Sequence, residues 1–400
     1  MEKILVLNAG STSIKFQLYY MDKDKSEIIT GGVVERIGLD NSKIIINNNT
    51  FSTELPIETH KAAIKAILNY LTQKHLNDAS ELTAVAHRMG YGGKYDSAAA
   101  IDADVMQQLY ESIPLIPLHG PAIEKGIKAM QELVPSVLQV AVFDTAFHQS
   151  ISKAGHVYAL PEEYREKEKI RSYGFHGPSH QYVTNQAAEY LGYKGRFICC
   201  HLGGGASVTA VKDGKSVYTS MGYTPMSGII MSTRPGDIDP YIPLYIMKTQ
   251  NKTVDEVSAL LNKESGLYAL SGGYSDMRDI LNEAEKGNEQ CIFALNSYVY
   301  SILKTIGSCI AFLGGLDALI FTGGIGEKGS KIRQKICDKL KYLGMELDNS
   351  ANNVYPAPTT ISSAQSQIKV LVIPTNEELM MAKEAYRVYK EIAPVEKEAI

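Results

Sequence analysis

Two glycine-rich turns, far apart in the chain, set the chemistry this sequence can do. Asn8-Ala9-Gly10-Ser11-Thr12-Ser13 joins the apolar run Ile4–Leu7 to a second run that begins at Ile14. His201-Leu202-Gly203-Gly204-Gly205-Ala206-Ser207 joins Phe197–Cys200 to Val208–Ala210 in the same way. Glycine lets a backbone approach a ligand closely, and the N–H groups of such turns cradle an anion. Ser11, Ser13 and Lys15 add two hydroxyls and an ammonium to the first turn, and His201 stands at the edge of the second. Together the turns suit a chain of phosphates gripped from two sides.

Phosphate chemistry also needs cations and hard oxygen donors. Arg88 ends the apolar run from Ala84, and Arg234 precedes Pro235-Gly236-Asp237. An arginine fork at such a place clamps a carboxylate or a phosphoryl group. Asp144 closes the apolar stretch Val140–Phe143, where α/β proteins bind ligands, and its carboxylate suits Mg²⁺. In Thr375-Asn376-Glu377-Glu378 the first and last residues have capping-box spacing, which leaves Glu377 as the spare metal ligand. His176 has Gly174 and Gly177 near it, which leaves room for a substrate.

Other readings of the motifs fare worse. Gly324, Gly326 and Gly329 match G-x-G-x-x-G, with Asp348 about 20 residues further on, as a dinucleotide fold requires. Nothing else in the chain completes that fold, and the same glycines suit adenosine with a helix N-terminus near its phosphates. No Walker A string occurs, because Lys328 lies on the wrong side of Gly329. His176 and His180 have helical spacing, but no third ligand lies nearby in sequence, so zinc is not expected.

The elements that must carry these residues alternate. Apolar runs at Ile4–Leu7, Ile14–Tyr19, Gly31–Val34, Lys43–Ile46, Ala84–Arg88 and Val137–Phe143 predict strands, and His60–Leu71 carries a helical stripe. The second half repeats this, with strands at Ala318–Phe321 and Lys369–Ile373 and helices at Thr253–Leu261, Gln290–Ile310 and Asn376–Ile392. An α/β architecture with mixed sheets follows. The charged stretch Pro161–Arg171 reads as a solvated excursion. At 400 residues and net charge -4, the chain is long enough for two or three domains and has no basic field for nucleic acid. No apolar stretch reaches the length of a membrane span or a signal peptide. Five cysteines without metal-site spacing suggest free thiols in a reducing cytoplasm.

Taken together, the two turns, Thr322–Lys328, His87-Arg88, Leu118-His119-Gly120-Pro121, Phe143–His148, Phe175–His180, Thr233-Arg234, Ser275-Asp276-Met277-Arg278 and Thr375–Glu378 resemble the acetate kinase family over nearly the whole chain. The resemblance implies two duplicated actin-like (ribonuclease H-like) domains, residues 1–148 with 376–400 and residues 149–375, and a nucleotide in the cleft between them. It also implies a homodimer joined through the second domain, and reversible transfer of a phosphoryl group from ATP to a short carboxylate. Asn8, Asp144 and Glu377 would hold Mg²⁺, with Mn²⁺ as a substitute. Arg88, Arg234, His176 and His119 would act on the carboxylate and the phosphoryl group. Asp276, Met277, Arg278, Gly323, Gly324, Ile325 and Gly326 would line the adenosine site. Gly90, Leu118 and Pro225 would wall the acid's alkyl group; Gly90 stands where the family commonly has valine, so propionate is a second candidate substrate. Gly204, Pro235 and Lys328 also depart from the family pattern. An actin-like switch that releases no small product is the reading from another class, and the paired arginines speak against it.

Overall fold

β1 (Glu2–Ala9) is apolar at Ile4, Leu5, Val6 and Leu7 without alternation, because both faces of its sheet are covered. Leu5 and Leu7 pack with Phe16, Ile64, Ile67 and Met130, while Ile4 and Val6 pack with Met381, Ala382 and Ala385 of the helix Glu377–Ile392. The computed structural model describes residues 1–47, 49–52 as backbone, 57–116, 120–353 and 359–393. The chain divides into two units, Met1–Ala146 with Asn376–Ile400, and Phe147–Thr375.

In the first unit β1 joins β2 (Ser13–Met21), β3 (Ser26–Glu35), β4 (Lys43–Ile46), β5 (Asn49–Ser52), β6 (Ala84–Met89), β7 (Ala99–Ala100) and β8 (Leu138–Phe143). The sheet order is β5-β4-β3-β2-β1-β6-β8-β7. β1, β2 and β3 pair antiparallel in succession, whereas β1, β6 and β8 are parallel. The second unit holds β9 (Arg196–Leu202), β10 (Ala206–Lys212), β11 (Lys215–Thr219), β12 (Ala318–Thr322), β13 (Thr359–Thr360) and β14 (Lys369–Val372). Its order is β11-β10-β9-β12-β14-β13, again with an antiparallel β9-β10-β11 meander and parallel β9, β12 and β14.

The two sheets therefore share a five-stranded plan, two hairpins followed by two parallel crossover strands. Each glycine-rich turn occupies the same place in it, the first hairpin. This places Asn8 beside Arg88 at the ends of neighbouring parallel strands, since Leu7 pairs with His87 and Arg88 with Val142. Among the described residues no helix is long and apolar enough to cross a membrane. All five cysteines are buried and free.

Candidate active site

Asn8, Arg88 and Asp144 end three adjacent parallel strands, and Glu377 opens the helix that covers that sheet. The Arg88 fork is bidentate on Asp144, Nε to Oδ1 and Nη2 to Oδ2 at 2.9 Å each. Its Nη1 lies 2.9 Å from Glu377 Oε2. Arg88 keeps 24% of its side chain exposed against 9% for Asp144, so the pair is sheltered yet open on one side. Desolvation pulls the guanidinium pKa down, but Asp144, then Glu377 and Glu378, outweigh it and leave the pKa raised. Lys15 stands directly across β1–β2 from Asn8. Gly10 N–H donates to Ser13 O at 2.8 Å and closes the turn that carries Ser11.

These donors fit a hard divalent cation. Asp144 and Glu377 offer two carboxylates and Asn8 an amide oxygen, the sparse set that Mg²⁺ uses when phosphate and water complete its shell. Among the described residues no cluster of three or more His, Cys, Asp or Glu could hold a metal.

The second unit has its own cluster. His176 caps the helix Gly177–Leu191 with φ of +59°, a left-handed backbone that a non-glycine residue adopts only under constraint. A Cβ built on Gly205 would lie 3.4 Å from His176 Nε2 and 3.8 Å from Arg234 Nη1, so the bare glycine leaves a space bordered by both. Arg234 Nη1 donates to Pro225 O at 2.9 Å. Burial lowers the Arg234 pKa, and no described carboxylate offsets that. The contrast with Arg88 is physical: one guanidinium is already neutralised, while the other still presents its charge. His201 stacks on His176 with ring centroids 4.4 Å apart.

The glycines of Gly323–Gly326 divide by role. Gly323 has φ of +76°, and a side chain there would meet Leu202 O at 2.7 Å, so this glycine serves packing against β9. Gly326 sits close over Cys200 O for the same reason, whereas Gly324 opens onto empty space. Gly323–Lys328 is itself a short helix, so these glycines do not form the strand-to-helix loop of a dinucleotide site. Ile325 belongs to that helix, and its O accepts from Gly329 N at 2.8 Å. Asp276 caps Met277–Glu285 and binds its neighbour Arg278, which draws the carboxyl pKa down to about 2. Met277 is buried and Arg278 exposed.

Two sequence expectations need correction. The cap of the last helix is Asn376, whose side chain accepts from Leu379 N at 2.9 Å; Thr375 instead donates to Ser179 Oγ at 2.8 Å. Gly174 leaves no room for a substrate, because its φ is +75° and a Cβ would collide with Thr219 and His148. Leu118 and His119 lie outside the described residues. Several supports had no local signal in sequence. His60 Nε2 bonds Gly10 O at 2.8 Å from a helix 50 residues away. Glu327 accepts from Gly323 N and Thr375 N, which ties the glycine motif to the end of the second unit. Buried Arg333 spends its fork on the carbonyls of Gly326 and Glu327 and on Asn352, fixing the end of the short helix.

The sequence matches the acetokinase family over residues 3–383. The chain belongs to the acetokinase family. An acetate kinase of Thermotoga petrophila is 45% identical over 402 residues, covering 98% of this chain and 99% of that protein. The crystal structure of Porphyromonas gingivalis acetate kinase superposes with a TM-score of 0.89 at 38% identity, covering 97% of this chain and all of the other. A propionate kinase from Francisella tularensis gives 0.90 at 39% identity with the same coverage. The duplicated sheet plan is thus the actin-like fold of acetokinases, a family of phosphotransferases with a carboxylate acceptor.

Proposed function

We propose that this acetokinase transfers the γ-phosphoryl group of ATP reversibly to acetate, giving acetyl phosphate and ADP by direct in-line displacement. The observation that supports it most is the space over Gly205, bordered by His176 Nε2 and by an arginine without a carboxylate partner among the described residues. A carboxylate is already nucleophilic at neutral pH, so no general base is needed, and rate comes from positioning and from charge spread over the equatorial oxygens. Arg234 and His176 would stabilise those oxygens, Arg88 would orient the acid, and the two glycine-rich turns, with Ser11, Ser13, Lys15, His201 and Gly203–Gly205, would hold the phosphates. His119 would assist near the acid, and Asp276, Met277, Arg278 and Gly324 would border the adenosine. Asn8, Asp144 and Glu377 would hold Mg²⁺ or Mn²⁺, which when bound neutralises phosphate charge.

Hydroxamate trapping of acyl phosphate with Mg-ATP and acetate, propionate or butyrate tests this reading. Strong product with acetate is expected; ATP binding without product from any acid would favour the switch instead. Gly90 keeps propionate in view. A Cβ there would touch Ile116 at 3.6 Å in ordinary contact, and Met89 is buried in the same core cluster as Ile116. Gly90→Val should cut propionate kcat/KM about tenfold relative to acetate, the usual effect of one methylene. Unchanged discrimination would remove Gly90 from the specificity account.

A cytoplasmic homodimer completes the proposal. The helix Tyr241–Gln250 has no buried residue, and Tyr241, Ile242, Leu244 and Tyr245 are all exposed. A helix so apolar needs cover. Sedimentation should report a dimer, and Leu244→Glu with Tyr245→Glu should give monomers. A wild-type monomer at micromolar concentration would contradict it.

A further inference from the structure

Two histidines share one hydroxyl. His176 and His180 lie one turn apart at the start of the helix Gly177–Leu191, and both reach Ser207 on β10. His176 Nδ1 is 2.9 Å from Ser207 Oγ, and His180 Nε2 is 2.7 Å from the same atom. Ser207 and His180 are fully buried. The other ring nitrogen of His180, Nδ1, is buried and meets no hydrogen-bond partner among the described residues.

That orphan nitrogen decides where the protons sit. A buried N–H without an acceptor is rarer and costlier than a bare acceptor, so His180 Nδ1 carries no proton. Burial, with His148 and His201 close by, holds the His180 pKa well below its usual value, so the ring is neutral. Its one proton therefore lies on Nε2 and is donated to Ser207 Oγ. A hydroxyl has a single proton of its own. The one acceptor that the Ser207 hydroxyl meets among the described residues is His176 Nδ1, so that nitrogen is unprotonated and the ring proton of His176 is on Nε2, the atom that borders the space over Gly205.

We infer that His180 is a positioning residue which, through Ser207, locks His176 as the Nε2–H tautomer and so aims a donor at the phosphoryl oxygens above Gly205. The inference rests on the phosphoryl-transfer reading for its purpose, but not for its geometry. The same device recurs beside it. Thr375 Oγ1 donates to Ser179 Oγ at 2.8 Å, Ser179 Oγ lies 2.7 Å from His201 Nδ1, and His201 is thereby also set with its proton on Nε2. Two serines thus orient in one sense the two stacked imidazoles, His176 at the helix N-terminus and His201 at the second glycine-rich turn.

The test reads the tautomer directly. Long-range ¹H–¹⁵N spectra of ¹⁵N-histidine-labelled full-length protein at pH 7.5, assigned against His176→Gln, should show a pyridine-type Nδ1 and a pyrrole-type Nε2 for His176. Ser207→Ala should mix the tautomers and lower kcat about ten- to a hundredfold, the range for lost outer-shell orientation, with KM for ATP and acetate nearly unchanged. His180→Gln, which keeps a donor near the position of Nε2, should retain far more kcat than His180→Leu. A wild-type His176 protonated on Nδ1, or on both nitrogens, would overturn the inference, as would Ser207→Ala with wild-type kcat. The wild-type spectrum needs no variant to fold. A locked tautomer in a protein without acyl phosphate product would fault the proposed function and leave the lock standing.

Discussion

Arg88→Ala is expected to lower kcat by about 10²–10³-fold, the loss that follows removal of one preorganised electrostatic donor. The reason is specific to its surroundings. Arg88 holds both oxygens of Asp144 and one of Glu377, so its removal takes from two sheltered carboxylates the guanidinium they share. Breaking such a pair from one side costs about 3–5 kcal/mol where it is fully buried, and less here because Arg88 is partly open. Activity and stability should therefore fall together in the alanine variant. Arg88→Lys separates the two effects. Lysine keeps the charge between Asp144 and Glu377 but cannot reproduce a three-point fork, so stability should largely return while kcat stays at least tenfold down. Kinetics and thermal melts on both variants check this, and Arg88→Lys with wild-type kcat would show that charge alone suffices.

Arg234 provides the comparison within one enzyme. Its guanidinium is anchored by the Pro225 carbonyl and by no described carboxylate. The sequence placed both arginines before glycine-bearing turns and gave no ground to tell them apart; only the ends of β6 and β8, brought side by side, show that one is prepaid with negative charge. In the same way most strands and the two glycine-rich hairpin turns were legible from apolar runs and glycines, because those signals are local. Lys43–Ile46 appears with its bounds unchanged, and His60–Leu71 gains only one turn. What sequence reading lost was non-local. His60 beneath Gly10, Arg333 beneath the short glycine helix, and Ser207 between two histidines all act across distances in sequence that no periodicity encodes. Capping was misread for a related reason. Thr375 has the right spacing for a capping box, yet its hydroxyl has a better partner in Ser179, and Asn376 takes the cap.

Acid is expected to unfold this protein early, and histidines rather than carboxylates set the window. His87 donates from Nε2 to Gln139 Oε1, an oxygen fixed in place because Gln139 Nε2 donates to Val137 O. His148 bonds Ser216 through Nδ1 and donates from Nε2 to the Phe175 carbonyl. Burial pushes both pKa values down to about 4, with those hydrogen bonds opposing only in part, and holds His180 well below its usual value too. The unfolded chain takes up these protons near pH 6.5, whereas the folded chain refuses them until about pH 4. Between those values the unfolded state binds more protons, so stability rises with pH and is lost as pH falls. Complete loss amounts to about 3 kcal/mol for each of His87 and His148, which is large against a total of roughly 5–15 kcal/mol. Near pH 5 most carboxylates remain ionised, and His87, His148 and His180 together should account for about three protons taken up on unfolding. Melting temperature measured from pH 7 to 4.5 should fall continuously and steepen below pH 6. His87→Gln, with its titrating group removed, should show a shallower slope by about one proton even if its stability at pH 7 is lower. A melting temperature that stays flat from pH 6.5 to 5 would mean that these imidazoles are charged in the folded protein, and with it the neutral His180 on which the tautomer lock depends would fall.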